Sequence, residues 1–153
     1  MLNQTAEYAL RAMSCLAYEP GKLMPTNELA EITKVPPNYL AKVLQSLAQA
    51  NLIVGRRGVG GGYRLGRPAD RISLLDVINA ISPVERITEC PLGLTNHSGR
   101  LCPLHRRLDM AAKQTIDTFG GISLMDVISE PDASRPLCNV ERTAAVEMRI
   151  SAG

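Results

Sequence analysis

The sequence PPNYLAKVLQSLAQANLIVGRRGVGGGYRL, residues 36–65, decides the fold. Its first half has apolar residues at positions i, i+3, i+4 and i+7, which are Leu40, Val43, Leu44 and Leu47. This spacing predicts a helix with one buried face. The prolines at 36 and 37 fit the first turn of that helix, where a missing N–H costs little. The helix is expected to end near residues 50–51.

The second half of this stretch has the pattern of a β-hairpin. A short β-prone run at 52–54 is followed by Arg56 and Arg57, a glycine-rich segment at 58–62 and a returning segment at 63–65. Glycines favour the tight tip, and the arginines would line its edges. A helix followed at once by a basic hairpin is typical of a winged helix-turn-helix.

Two further helices are predicted before this stretch. Residues 3–18 carry small and apolar residues near helical spacing, and a Pro-Gly break follows at 20–21. The second helix is expected to begin with Thr26 as its cap and to end before Pro36. The fold class is therefore predicted to be mainly α: a winged helix-turn-helix of three helices and a two-stranded wing, with a long dimerisation helix.

Polar residues of the third helix and the hairpin predict contact with double-stranded DNA. Asn38, Lys42 and Gln45 lie away from the apolar face, and side chains of these types can read base edges. Tyr39 is expected either to reach a phosphate or to be partly buried. Contacts to phosphates, or entry of an arginine into the minor groove, are expected from the cations of the hairpin, which are Arg56, Arg57 and Arg64.

The distribution of charge agrees with this assignment. Residues 1–71 carry nine Lys and Arg against five Asp and Glu, a net +4, whereas residues 72–153 carry eight against ten, a net −2. A basic half that contains the helix and the hairpin suits a polyanionic partner, and a merely solvated basic surface is the plain alternative. The 153 residues are 45% hydrophobic and 3% aromatic, which suits one small, mainly helical domain with an attached dimerisation element.

The sequence shows no targeting or membrane-spanning segment. The amino terminus, MLNQTAEYALRAMSC, lacks the basic region and apolar core of a signal peptide, and no run approaches about 20 apolar residues. A cytoplasmic location without membrane contact is therefore expected. In that reducing compartment the cysteines are not expected to form a disulfide framework. Cys15 is predicted to be a small buried hydrophobe, and Cys138 has no assigned role.

The second half of the chain is predicted to hold a long helix with an apolar seam. Leucines and small residues recur at intervals of three and four, at Leu101, Leu104, Leu108, Ala111 and Thr115. Further apolar residues at 112, 116 and 119 widen this heptad-like seam, and glycines at 120–121 end it. Burial within one subunit is one reading. The other is a symmetric homodimer, which suits binding to two DNA half-sites.

The near-copies SLLDVI at 73–78 and SLMDVI at 123–128 are read as two similarly capped short helices, not as a repeat architecture. Three segments result. Residues 1–67 form the winged-helix DNA-binding domain. Residues 68–129 hold a connecting helix, a Cys/His loop at about 86–103 and the dimerisation helix at about 101–119. Residues 130–153 are a tail or a weak helix.

Both histidines and two of the four cysteines fall within residues 90–105, in the Cys/His loop and just after it. Cys90, His97, Cys102 and His105 are separated by seven, five and three positions. Thiolate and imidazole ligate iron–sulfur clusters and Zn²⁺, so this loop is a candidate metal site. Two alternatives stay open: a thiol redox switch between Cys90 and Cys102, or a surface loop whose thiols and imidazoles are incidental.

Two other functions are less compatible with the sequence. GVGGGY superficially resembles a phosphate-binding loop, but it lacks the Gly-Lys-Ser/Thr ending and no helix follows it, so an enzyme is not expected. A winged helix that serves protein contacts without DNA is the second rival. The salt dependence of DNA binding distinguishes it, because phosphate contacts release counterions.

Residues 1 to about 128 resemble the Rrf-two-type winged-helix transcription regulator family, the IscR/NsrR-like regulators. Four stretches carry the resemblance: YALR at 8–11, the helix NYLAKVLQSLAQANLI, the wing RGVGGGY at 57–63, and SLLDVI. It implies a dimeric repressor or activator whose third helix and Arg57 contact DNA. Many members hold a [2Fe-2S] or [4Fe-4S] cluster on three cysteines in the loop before the dimerisation helix, and the state of the cluster changes DNA binding.

The Cys/His loop departs from this family pattern. Cys90 matches the first cluster cysteine and Cys102 the third, but the middle cysteine is absent, and His97 or Asn96 stands in its place. His105, three residues after Cys102, is similar to a histidine ligand of IscR-like members. The resemblance therefore implies a cluster on a variant ligand set, a different metal such as Zn²⁺, or loss of the metal.

Glu7 is the remaining candidate ligand. It matches a position from which some relatives supply an acidic ligand to the other subunit's cluster. Its plain reading is a first-turn acid that complements the helix dipole.

Overall fold

The computed structural model describes residues 2–97, 99–131 and 136. Six α-helices and one two-stranded sheet follow one another in this part of the chain. Their bounds are α1 Gln4–Ala17, α2 Thr26–Thr33, α3 Pro37–Gln49, β1 Ile53–Arg56, β2 Gly62–Leu65, α4 Leu74–Ile81, α5 Pro103–Gly120 and α6 Leu124–Ser129. Short 3₁₀ turns lie at Ala69–Arg71 and Thr95–His97. The predicted order of three helices and a hairpin is confirmed.

Helix α1 lies at the centre of the core. The side chain of Asn3 accepts the N–H of Ala6 at 2.8 Å, which caps the helix and fixes where it begins. Its buried face packs against α2, α3, α4 and α6. Cys15 is 1% exposed, as predicted, and its Sγ lies 3.7 Å from Sδ of Met24. The core is aliphatic because the chain contains no Trp and only one Phe.

Helices α2 and α3 form the helix-turn-helix. Helix α3 begins at Pro37 and buries the four predicted apolar residues, Leu40, Val43, Leu44 and Leu47. The predicted capping role of Thr26 is wrong, because Thr26 is already inside α2 and Pro25 occupies the cap position without a side-chain hydrogen bond. Between the two helices Lys34 adopts φ +56, a left-handed conformation that turns the chain toward α3.

The wing is fastened to the body of the domain along one edge. Strands β1 and β2 pair antiparallel, from Ile53 with Leu65 to Arg56 with Gly62. Met24 adds a bridge on the outer side of β2: it donates its N–H to the Tyr63 carbonyl at 2.8 Å and accepts the Tyr63 N–H at 2.9 Å. The loop between α1 and α2 therefore holds the wing at a fixed position relative to α3.

The two near-copies, SLLDVI at 73–78 and SLMDVI at 123–128, lie side by side. The N–H of Leu74 donates to the Ile122 carbonyl and the N–H of Leu124 donates to the Ile72 carbonyl, both at 2.9 Å. Each copy then enters its helix through a Ser–Asp capping box, as predicted for the first copy. The β-bridge between Ser73 and Ser123 therefore joins the two ends of the segment that contains the Cys/His loop and α5.

Helix α5 is long and poorly covered. It spans 18 residues, and none of them is buried. A half-buried stripe of residues 105, 109, 112, 116 and 119 faces the rest of the chain. Residues 112, 116 and 119, which were predicted to widen the seam, belong to this stripe. Leu104 and Leu108 of the seam lie on the adjacent face and are 63% and 49% exposed.

No helix among residues 2–97 and 99–131 is long and apolar enough to cross a membrane. Cys138 and nearly all of the predicted tail lie outside the described residues.

Candidate nucleic-acid interface and cysteine loop

The polar face of α3 is open to solvent. Asn38, Lys42 and Gln45 are all exposed, and they project from the side opposite the leucines that anchor the helix in the core. Tyr39 is 59% exposed, so it is available for a phosphate contact and is not a core residue. An amphipathic helix therefore presents the side chains that were assigned to base reading.

The wing contributes three arginines to this candidate interface. Arg56, Arg57 and Arg64 are exposed. Within the described part of the chain, neither they nor Lys42 form a salt bridge. Guanidinium groups without carboxylate partners are free to bind the phosphates of nucleic acid.

Arg11 joins α1 to the helix-turn-helix. Its Nε–H donates to the carboxylate of Glu7 at 2.6 Å, and its Nη1 donates to the carbonyl of Thr33 at 3.1 Å. Thr33 is the last residue of α2, so Arg11 binds a carbonyl at the carboxyl end of that helix. Sequence reasoning missed this role, because Arg11 and Thr33 are 22 residues apart.

Cys102 and His105 come together at the start of α5. Cys102 occupies the N-cap position, and its carbonyl accepts the N–H of Arg106 at 2.9 Å. Because helix geometry brings residues i and i+3 to one face, Sγ of Cys102 lies 3.2 Å from Nδ1 of His105. Both side chains are half-buried.

Cys90 lines a cleft that does not include this pair. It is half-buried and lines a cleft with Glu89, Leu94, Thr95 and Arg100, whereas neither Cys102 nor His105 lines that cleft. No disulfide joins Cys90 to Cys102. The backbone of His97 belongs to a 3₁₀ turn, and its side chain is outside the described part of the structure.

Glu7 occupies a different groove, between α1 and the second half of α5. Other residues that line this groove include Ala6, Ile78, Ala111, Thr115 and Phe119. Glu7 is also paired with Arg11, as described above. Among the described side chains, no three Cys, His, Asp or Glu groups converge as a metal site. Of the four predicted ligands whose side chains are described, Cys102 and His105 come together in a single chain.

Asp109 and Arg86 fix the position of the loop, and sequence reasoning did not identify them. Asp109 accepts two hydrogen bonds from the guanidinium of Arg86 and a third from the Ile87 N–H. The hydrogen bond from Arg86 is the largest cause that lowers the pKa of Asp109 below its ordinary value. The two residues are 23 positions apart, and no local pattern links them.

A family model described as Rrf2, iron-dependent transcriptional regulator, matches residues 2–130. One similar curated protein, from Aquifex aeolicus (strain VF5), carries the provisional name of HTH-type transcriptional regulator. It is 26% identical over 132 residues, which are 84% of this chain and 92% of the relative.

Solved structures share the fold. The global cysteine regulator CymR (YrzC) of B. subtilis is 23% identical with a TM-score of 0.69, and the match covers 86% of this chain and 98% of CymR. IscR of T. potens is 20% identical with a TM-score of 0.70, over 86% of this chain and 88% of IscR. CymR of Staphylococcus aureus is 26% identical with a TM-score of 0.66, over 86% of this chain and the whole of that chain.

Proposed function

The chain belongs to the Rrf2 family of transcriptional regulators, whose winged helix binds DNA, and we propose that this member is a homodimer whose DNA binding responds to a metal or a redox change at the Cys/His loop. The family is not enzymatic, in line with the sequence analysis. The observation that carries the regulatory part of the proposal is the contact between Cys102 and His105 at the start of α5.

In the DNA-binding part, base reading is assigned to Asn38, Lys42 and Gln45 on the exposed face of α3. Arg56, Arg57 and Arg64 take phosphates, since each is exposed and without a salt bridge among the described residues. Tyr39 adds a phosphate contact at the start of the helix, for which its 59% exposure leaves room. Phosphate contacts orient the protein, and base contacts select the site.

The proposal of a homodimer rests on α5. This 18-residue helix has no buried residue and leaves Leu104 and Leu108 of its apolar seam exposed to water, and such a surface is usually covered by a partner. Ala111 and Thr115 belong both to the seam and to the groove beside α1, so the two apolar surfaces are continuous. Two chains related by a two-fold axis would cover both and would present two α3 helices to DNA.

The donor chemistry fits a metal at the start of α5. With bonds of about 2.3 Å to sulfur and 2.1 Å to nitrogen, two donors on one tetrahedral ion stand about 3.6 Å apart. The 3.2 Å between Cys102 Sγ and His105 Nδ1 is close to that span. A bound [2Fe-2S] or [4Fe-4S] cluster would supply redox chemistry, and imidazole ligands would raise its potential. Zn²⁺ would supply a structural cross-link instead.

The remaining ligands must come from further away. Cys90 is on the same loop, in the neighbouring cleft, and His97 lies between the two cysteines in sequence. Glu7 lines the groove that the proposed dimer would cover, so it would act on the loop of the partner subunit and would have to leave Arg11. The ligand set of the proposal is therefore Cys90, Cys102 and His105, completed by His97 or Glu7.

A thiol switch without metal is the second candidate. Cys90 and Cys102 are half-buried side chains on one loop. Their oxidation to a disulfide would cross-link the loop to the start of α5 and change the position of both. This candidate needs neither histidine. It predicts a response to oxidants in protein that contains no metal.

The test is anaerobic purification of the full chain, followed by visible absorption and measurement of iron, sulfide and zinc. Brown protein with stoichiometric iron and sulfide supports a cluster. Alanine variants at Cys90, His97, Cys102, His105 and Glu7 then identify its ligands, and Cys15→Ala is the matched control because Cys15 is buried in the core of the winged domain. Zinc alone selects the Zn²⁺ form. Colourless, metal-free protein whose DNA binding ignores oxidants overturns the regulatory proposal.

A further inference from the structure

The tip of the wing carries a single side chain. Glycines occupy positions 58 and 60–62, so Val59 is the only residue with a Cβ between Arg57 and Tyr63. The N–H of Gly61 donates to the Gly58 carbonyl at 3.0 Å and closes the turn. Gly60 has φ +73, as the third residue of a type II turn requires. The turn therefore fixes the backbone on both sides of Val59.

Val59 is fully exposed, with a relative exposure of 102%, the highest among the large apolar residues that the structure describes. It supports no core, and nothing lies within 4 Å of a Cβ built at either Gly58 or Gly60 beside it. An isolated exposed valine is ordinary in itself. This one differs because it ends a thin tip whose base carries Arg56 and Arg57, neither of which forms a salt bridge within the described part of the chain.

The dimensions of this tip suit the minor groove of DNA. That groove is about 6 Å wide, whereas paired strands are about 4.8 Å apart and a sheet layer with side chains is about 10 Å thick. The backbone of a hairpin can approach the floor of such a groove most closely when few side chains stand along its tip. The glycines at 58 and 60–62 meet this requirement, and arginines at the base can hold the flanking phosphates.

We propose that Val59 contacts the floor of the minor groove and selects base pairs that lack an amino group there. This inference rests on the proposed DNA-binding function and adds a specificity determinant to it. In the minor groove A·T and T·A pairs present only acceptors, and a G·C pair adds the N2 amino donor. The methyl groups of Val59 would remove water from that donor and offer no acceptor in return. A G·C pair under the wing tip is therefore disfavoured.

Inosine separates this effect from major-groove reading. An I·C pair has the major-groove edge of G·C and lacks the N2 amino group. The full-length protein first selects a binding duplex from a random-sequence pool. Each position of that duplex is then made I·C or G·C, and the two dissociation constants are compared.

At the pairs under the wing we expect G·C to bind about fivefold or more weakly than I·C, which is the effect of one buried donor without a partner. In Val59→Ser this ratio should fall to about one, because a hydroxyl accepts the hydrogen bond that valine cannot. Val54→Ser is the matched control, since Val54 is an exposed valine on β1 away from the tip, and it should keep the ratio.

The outcomes are distinct. If no duplex is selected, the proposed DNA-binding function itself fails. If a duplex is bound but the ratio is about one at every position, or is unchanged in Val59→Ser, the inference about Val59 is overturned. If instead Arg57→Ala removes the ratio while Val59→Ser keeps it, an arginine reads the groove and the inference is equally overturned.

Discussion

The guanidinium of Arg86 donates to both carboxylate oxygens of Asp109, at 2.6 and 2.7 Å, and thereby ties the segment after α4 to the middle of α5. Asp109 also accepts the N–H of Ile87 at 3.0 Å. Cys90 follows three residues later, and Cys102 begins α5 itself. Both ends of the Cys/His loop are thus anchored on one helix. A chemical change in the loop would act on α5 through these two anchors.

Asp109→Asn should loosen the first anchor, because a neutral amide cannot hold the two hydrogen bonds of the guanidinium as strongly. We expect faster amide hydrogen exchange at residues 84–90 and a melting temperature lowered by about 1–4 °C at pH 7, as for other exposed ion pairs. The control is Asp117→Asn, which removes an ion pair within α5 with Lys113 and keeps the three hydrogen bonds that Asp109 accepts from the loop. Equal exchange in the two variants would refute an anchoring role.

The same pair gives a pH dependence with a definite sign. Arg86 lowers the pKa of Asp109 in the folded protein, so the stabilisation is complete above the unfolded pKa of about 4 and is lost as pH falls through the lower folded value. The difference in melting temperature between wild type and Asp109→Asn should therefore be constant from pH 7 to 5 and shrink below pH 4. A difference that grows toward acid pH would contradict this assignment.

Arg57→Ala should weaken binding to every duplex. A lost phosphate contact releases about one fewer counterion, so the slope of log K against log salt should fall by about 0.9 in magnitude for the selected and for a random duplex alike. Gln45→Ala is the comparison, because a base-reading amide affects only the selected duplex, by roughly tenfold, and leaves the slope unchanged. If both variants behaved identically on the two duplexes, the division of roles between α3 and wing would be wrong.

Gly62→Ala should weaken the contact between the wing and the loop that joins α1 to α2. Gly62 has φ +148, and a Cβ there would lie 2.4 Å from the carbonyl carbon of Met24, against the bridge that holds β2. We expect about 2–4 kcal/mol of destabilisation by urea titration, because both strain and the backbone clash must be relieved. Gly21→Ala is the control, since nothing lies within 4 Å of its Cβ and its φ is not positive; it should be close to neutral. Equal free energies of unfolding for the two variants would show that the wing accommodates the added Cβ without loss of stability.

Local patterns predicted the winged domain well. The spacing of Leu40 to Leu47, the glycines of the hairpin and the Ser73 cap each act within a few residues, and all are present in the structure. Features that join distant residues were not accessible in this way. The bridge between Met24 and Tyr63, the Arg11 contact with Thr33 and the Arg86–Asp109 pair leave no periodic signal.

The site predictions divide along the same line. Exposure of the DNA-binding candidates followed from the amphipathic pattern of α3. The contact of Cys102 with His105 follows from their i, i+3 spacing at a helix start, although the sequence analysis treated both as loop ligands. Completion of the ligand set depends on Cys90, His97 and Glu7. Among the described side chains, Cys90 and Glu7 do not converge with this pair, so their approach would require movement of the loop or a second chain. One sequence alone does not fix either.

Leu108→Glu should separate the proposed dimer. Leu108 lies in the exposed seam of α5, and a carboxylate there would be buried without a partner on association. Met110→Glu is a closely matched control, because Met110 is 48% exposed and Leu108 is 49% exposed, but the helical spacing of α5 puts Met110 on a different face from the seam. Sedimentation equilibrium should give a monomer for Leu108→Glu and a dimer for wild type and Met110→Glu. Circular dichroism should be unchanged in both, since neither side chain is buried within the chain.

A dimer for Leu108→Glu, or a monomer for Met110→Glu, would place the interface elsewhere. In that case Glu7 would have no route to the loop of a partner.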